Sequence, residues 1–243
     1  MADHIQIPQT WMRNFNNKSN PLPNSVYCLS LDGSGISCVK IKELGAVENY
    51  YIRDFEHYLD INWETKIGEI FKKIRKAAKQ GQFNLLDSEY TFIKRFLAIS
   101  VSRSKSYRLL SYLKYDGVLP YIGDKEINPL SVAFSNGIMF ENCDCQFVIN
   151  RTNVGFILPS YSYYYADFGN HNFMPLTIVD SKIGIRFVER RKDQTIVQGS
   201  VIEILDDNTV KQFNCCALLV ELNTNNDFLI AENIKDFAFE PLN

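Results

Sequence analysis

Long apolar runs are missing from this sequence. No stretch approaches the roughly 18 consecutive apolar residues that a membrane-spanning helix needs. The opening residues, MADHIQIPQTW, carry neither a basic region nor an apolar block, so they do not match a secretory signal. An excess of one charge is missing as well. Twenty-six Lys and Arg stand against twenty-eight Asp and Glu, a formal net charge of −2. Basicity over a whole chain is the usual footprint of nucleic-acid binding, so any basic surface here must be local. Internal repeats, low-complexity tracts and a convincing linker are also absent. From these gaps we expect a cytoplasmic protein with no membrane contact and reduced thiols.

Several catalytic and metal signatures are lacking. Asp32-Gly33-Ser34-Gly35 is not followed by the lysine and Ser or Thr that a phosphate loop requires, so it is a hairpin turn. There is no Gly-x-Ser-x-Gly elbow, and His57 and His171 have no nucleophile at a diagnostic spacing. The six cysteines are Cys28, Cys38, Cys143, Cys145, Cys215 and Cys216. One residue between Cys143 and Cys145 is too few for a zinc pair, and neighbouring Cys215 and Cys216 point to different helix faces. We therefore expect buried thiols, no metal and no cofactor.

What is present is apolar and aromatic. The 243 residues are 46% hydrophobic, with 17 Phe and 13 Tyr, enough for a sizeable core. Residues 4–15, HIQIPQTWMRNF, suggest a short strand running into a turn. NNKSNPLPN, 16–24, is a loop. Residues 26–41 form a β-hairpin. From Asp60 the period changes: Trp63, Ile67, Ile70, Ile74 and Ala78 recur at helical spacing. Lys66, Lys72, Lys73, Arg75, Lys76 and Lys79 occupy the rest of that helix. They form a solvated face or a surface for phosphate. A second helix is expected over 88–114, capped by Asp87 or Ser88, with no Glu or Gln at the capping-box position. Another is expected over 127–141. CQFVIN, VGFILPSYSYYY, KIGIRFVERR and VIEIL are strands, and 208–222 is the last helix. The order predicts one α+β domain over 1–243, with strands near both termini packed on a central group of helices.

The opening motif resembles a bacterial family known only as domain of unknown function 4238, whose members characteristically begin His-His-Tyr-Val-Pro-Gln-Phe-Tyr-Leu-Arg-Asn-Phe. His4, Pro8, Gln9, Arg13, Asn14 and Phe15 match it. Collinear similarity continues through VENYYI, WETKIGEIFKKI, FLAISVSRSKSYR, CQFVINRTNVGFILP, MPLTIVDSKIGIRF and LLVELNTNNDFLIAENIKDF. Two positions depart from the pattern. Ile5 stands where many members have a second histidine. Arg151 stands where many have an acidic residue, which reverses charge and removes a base or ligand. The resemblance implies one domain and hands over no activity.

Two functions follow as expectations. In the first, the protein is a hydrolase acting on a phosphodiester or nucleotide. His4 is its acid or base because it titrates near neutrality. Arg13 and Arg103 hold phosphate. Gln9, Glu64, Glu69 and Asn150 orient substrate or water, and Arg108 and Arg151 add substrate contacts. The competing account for Arg13 and Arg103 is an internal ion pair with Glu64 or Glu69. In the second, the protein is a non-catalytic binding or regulatory module, for instance in a defence or toxin-like system. Its ligand would be nucleic acid or another protein, met through Tyr161, Tyr163 and Tyr165. Those tyrosines also suit one face of an edge strand.

Overall fold

Proline and a few aromatics decide how the chain begins. The computed structural model describes residues 2–4, 7–48, 57–103, 140–190, 198–223 and 228–239. A short strand β1 (Ala2–His4) precedes Pro8, whose carbonyl accepts from the N–H groups of Trp11 and Met12 at 3.0 and 3.1 Å. These bonds close a helical turn, α1 (Gln9–Met12), followed by a 3-10 turn, Arg13–Phe15. Where a short strand running into a turn was expected, the turn is helical from Gln9 onward. The turn puts Trp11, Met12 and Phe15 on one side, and all three are completely buried. Trp11 donates from Nε1 to the Ile178 carbonyl at 2.8 Å, and its ring lies 5.5 Å from Phe71 and 5.6 Å from Phe96.

The hairpin follows as its residues dictate. β2 (Ser25–Ser30) and β3 (Gly35–Lys40) are antiparallel, and Asp32 Oδ1 accepts from Ser30 Oγ and from the Ser34 N–H, both at 2.8 Å. β4 (Ala46–Glu48) pairs with β1. A π-helical turn, Asp60–Glu64, then leads into α2 (Thr65–Gln80). Ile67, Ile70, Phe71, Ile74 and Ala77 form its buried stripe. Gly68 lies under α1: a Cβ there would come within 2.5 Å of the Thr10 methyl. α3 (Asp87–Ser102) starts at Asp87, one of the two expected caps, so the cap falls one residue earlier, on Leu86. Glu89 then sits at the position whose carboxylate accepts from the Leu86 N–H, at 2.9 Å. The expected helical residues beyond Arg103, Arg108 among them, lie outside the described residues. So does most of 127–141, of which Phe140 and Glu141 are in a turn.

The second half supplies most of the sheet. β5 (Cys143–Asn150), β6 (Leu158–Pro159), β7 (Tyr164–Asp167), β8 (Phe173–Asp180), β9 (Ile183–Glu189) and β10 (Val201–Ile204) precede α4 (Asp207–Asn223) and β11 (Phe228–Ala231). One five-stranded sheet runs β10-β5-β9-β8-β7, with β10 parallel to β5 and the other pairs antiparallel. A four-stranded sheet runs β3-β2-β11-β6, so β11 joins the far end of the chain to the first hairpin. The expected strand 154–165 is broken in two. Glu221, buried on α4, accepts from Ser160 Oγ and the Tyr161 N–H at 2.7 Å each, and Ser162 takes a left-handed φ of 80°. Those bonds pull 160–162 out of the ladder. A single buried cluster runs from Ile7 to Ala231 and includes Phe71, Phe96, Phe147, Ile178, Phe213 and Leu229. The fold is mixed α+β.

Candidate functional site

The polar residues of the opening stretch part company in the fold. Arg13 is exposed and donates from Nη2 to Gln9 Oε1 at 3.2 Å, one helical turn away. Arg103 is almost wholly buried at the end of α3, and its Nη1 lies 2.9 Å from Glu64 Oε1. Glu64 is buried on the π-helical turn, so this pair clamps the start of α2 to the end of α3. A buried guanidinium must be paired to offset its lost hydration, and Glu64 supplies that charge. Glu69 is exposed on α2. Nothing is described of the His4 side chain.

A different group of residues surrounds open space. A cleft of about 850 Å³ lies between α2 and the ends of β5, β8 and β9. Its first wall is Lys72, Arg75, Lys76 and Lys79. The spacing of three, four and seven residues puts all four on one face of α2. Lys72, Lys76 and Lys79 are exposed and none is paired with another described residue. Arg75 is half-buried, and its Nε has no hydrogen-bond partner among the described residues. The opposite wall is Asn150, Arg151 and Thr152 at the end of β5, with Asp180, Ser181 and Lys182 at the β8–β9 turn. Asn14 and Asn16, just past α1, and Glu232, just past β11, complete it. Six cationic side chains thus face two carboxylates.

Hydrogen bonds stiffen the second wall. Asn150 is buried, donates from Nδ2 to the carbonyls of Val154 (2.7 Å) and Ser181 (3.2 Å), and accepts from the Thr152 N–H at 2.9 Å. It clasps the end of β5 to the β8–β9 turn. Arg151 directs Nε and Nη2 at Glu203 Oε1, at 3.0 and 2.8 Å, and Lys182 donates to the Thr152 carbonyl at 2.6 Å. Ser181 Oγ donates to Glu232, and the Lys182 N–H donates to Asp180 Oδ1 at 2.8 Å. Burial pushes the Asp180 carboxyl up to about 6, and the Glu232 charge adds to the rise. The Lys182 N–H and Arg75 pull the other way and do not cancel it. A carboxyl held there exchanges protons near neutrality, as a general acid or base requires.

Of the residues singled out from sequence, Asn150 and Arg151 line the cleft; Gln9, Arg13, Glu64 and Arg103 do not. Asp180, Glu232 and Asn14 were missed as site residues. The sequence signals for the cleft were the basic face of α2 and the pair Asn150 and Arg151.

The tyrosines lie apart from the cleft. Tyr161, Tyr163 and Tyr165 form a row with ring centroids 5.3 and 6.0 Å apart. Tyr163 is buried against Phe140, whereas Tyr165 on edge strand β7 is exposed. All six cysteines are free thiols. Burial raises Cys28 and Cys145 to about 12 and Cys216 to about 11, which keeps them protonated and poorly nucleophilic. Among the described residues no group of three or more His, Cys, Asp or Glu is arranged to hold a metal. No described helix is long and apolar enough to cross a membrane.

Against known families, residues 4–126 match one described as a protein of unknown function, DUF4238. The chain belongs to that family. No curated protein and no solved structure matches it. The matched segment contains α2 and the turn bearing Asn14, hence one wall of the cleft. Residues 150–152, 180–182 and 232, which build the other wall, lie beyond it.

Proposed function

We propose that this member of the family binds a phosphate-bearing ligand, a nucleotide or nucleic acid, in the cleft between α2 and the ends of β5, β8 and β9. The observation that carries the reading is the row Lys72, Arg75, Lys76 and Lys79. Four cations on one helix face, three of them without an ion-pair partner among the described residues, border a cavity rather than a flat surface. Clustered cations beside low-dielectric walls focus the field and draw anions in.

The proposal is tested by fluorescence anisotropy of a labelled single-stranded oligonucleotide titrated with the protein at several KCl concentrations. The expected result is an affinity that falls with salt, log K against log[salt] having a slope of about −0.7 per phosphate neutralised. Lys72→Glu with Lys76→Glu should abolish it. Binding that ignores salt, or survives the double reversal, overturns the reading.

One observation favours hydrolysis over binding alone. Asp180 is a carboxyl poised near neutrality beside the cation wall, where it would move a proton to or from a phosphodiester oxygen or an attacking water. Under the alternative, a binding or regulatory module such as a defence component, the same cleft holds its ligand and releases it unchanged. Incubation of wild type and Asp180→Asn with oligonucleotides and nucleotides separates the two. Turnover lost in the variant, with binding retained, supports the hydrolase.

A further inference from the structure

The cleft is more than an anion trap, because its second wall carries negative charge. Asp180 and Glu232 would repel a bare phosphate. Asp180 already accepts from the N–H groups of Lys182 and Ile183, and Glu232 from Ser181 Oγ. A carboxylate offers about four acceptor sites, so both keep capacity facing the ligand. Asn14 and Asn16 add amide groups on the same side, and Asn14 Nδ2 is buried with no partner among the described residues. Such acceptors and amides suit hydroxyl groups. The apolar lining is Ala78, Ile149 and Ile183, and no aromatic side chain among the described residues borders the cleft, so no ring there stacks a base.

We infer that the cleft recognises a sugar phosphate unit with free hydroxyls, a ribose phosphate, whose phosphate lies against Lys72, Lys76 and Lys79 while its hydroxyls donate to Asp180 and Glu232. The inference rests on the phosphate-binding reading and specifies its ligand. The 2′-hydroxyl is what distinguishes RNA from DNA at such a site, since it both donates and accepts. Ribose phosphate reaches the cleft as a strand or as a free nucleotide, and the two sources differ only in what extends beyond the cavity.

The experiment compares affinities in EDTA at pH 7.5 for octamers of U and dU, and for UMP and dUMP as competitors. One hydrogen bond to a charged acceptor corresponds to a preference of about tenfold or more for the ribo form. Tighter binding of the octamer than of UMP identifies a strand as the source, and the reverse identifies the free nucleotide; either supports the inference. Asp180→Ala should change the two ligands in opposite directions: the deoxy form gains affinity because a repelling charge is gone, and the ribo form loses its advantage. Misfolding cannot produce that crossing. Equal affinity for ribo and deoxy ligands overturns the inference and leaves the phosphate reading standing. A preference that appears only with added Mg²⁺ also overturns it, since the carboxylates would then serve a cation. Failure of every ligand to bind overturns both.

Discussion

The Arg103–Glu64 pair and the α2 cleft use the same kinds of side chain to opposite ends. Arg103 is sealed at the end of α3 with its counter-charge 2.9 Å away. Lys72, Lys76 and Lys79 stand open on α2, unpaired among the described residues, above carboxylates that already hold local hydrogen bonds. A buried pair spends its opposite charges on each other and ties elements together. An unmatched row on a cavity does little for the fold and has its charge free for a partner.

The contrast is broken most forcefully at the sealed pair. Arg103→Ala leaves Glu64 buried without its partner, which costs about 3–5 kcal/mol. For a chain of this size that is a fall in Tm on the order of 10 °C by calorimetry. Arg103→Met combined with Glu64→Leu should recover much of the loss, because both desolvated charges are gone. A Tm unchanged by Arg103→Ala would show that the pair holds nothing.

The open row should answer differently. Lys72→Glu with Lys76→Glu should abolish oligonucleotide binding, a fall of at least about 100-fold at low salt, while moving Tm by no more than about 2 °C, since exposed substitutions are worth within about 0.5 kcal/mol. A large Tm loss here would erase the distinction between the two regions.

The Asp180 carboxyl sharpens the comparison through pH. Its pKa in the fold, about 6, lies above the 3.8 of an ordinary aspartate. Protonation therefore favours the native state: the stability contribution is fully present below pH 3.8 and is lost as pH rises through about 6. Asp180→Asn should thus be the more stable protein at pH 7.5, with the advantage vanishing towards pH 4. Affinity for a deoxyribose phosphodiester, which does not itself titrate in this range, should rise a few-fold as pH falls through about 6 and should be flat in Asp180→Asn. Chemical denaturation and anisotropy over pH 4.5–8 measure both.

The smallest effect is expected at Arg13. It is exposed and bonds only to Gln9 among the described contacts, so Arg13→Ala should shift stability by under about 0.5 kcal/mol and leave oligonucleotide binding unchanged. A clear loss of affinity would return the opening motif to the site.

Much of the scaffold was legible because its signals are local. The helical period through Ile67, Ile70 and Ile74, the Asp-Gly turn at 32–33 and the β-branched runs of β5 and β9 each depend on near neighbours. At the opening stretch the turn was legible but not its helical form, which the bonds to the Pro8 carbonyl impose. The expected strand over 154–165 failed for a distant reason: Glu221, some sixty residues on, captures the backbone at Tyr161. The α2 row was visible as a basic face, but its role was not, since a solvated face and a cleft wall have the same spacing.

By itself, then, the sequence determined the mixed α+β class and the placement of α2, because short-range periodicity settles those. Only the tertiary structure decided which arginine is sealed and which lysines face a cavity. The reason is distance along the chain. Arg103 meets Glu64 across 39 residues, and the cleft gathers segments near 14, 72–79, 150, 180 and 232. Pairing of charges at such separations depends on how the sheets and helices pack, and no local pattern encodes it.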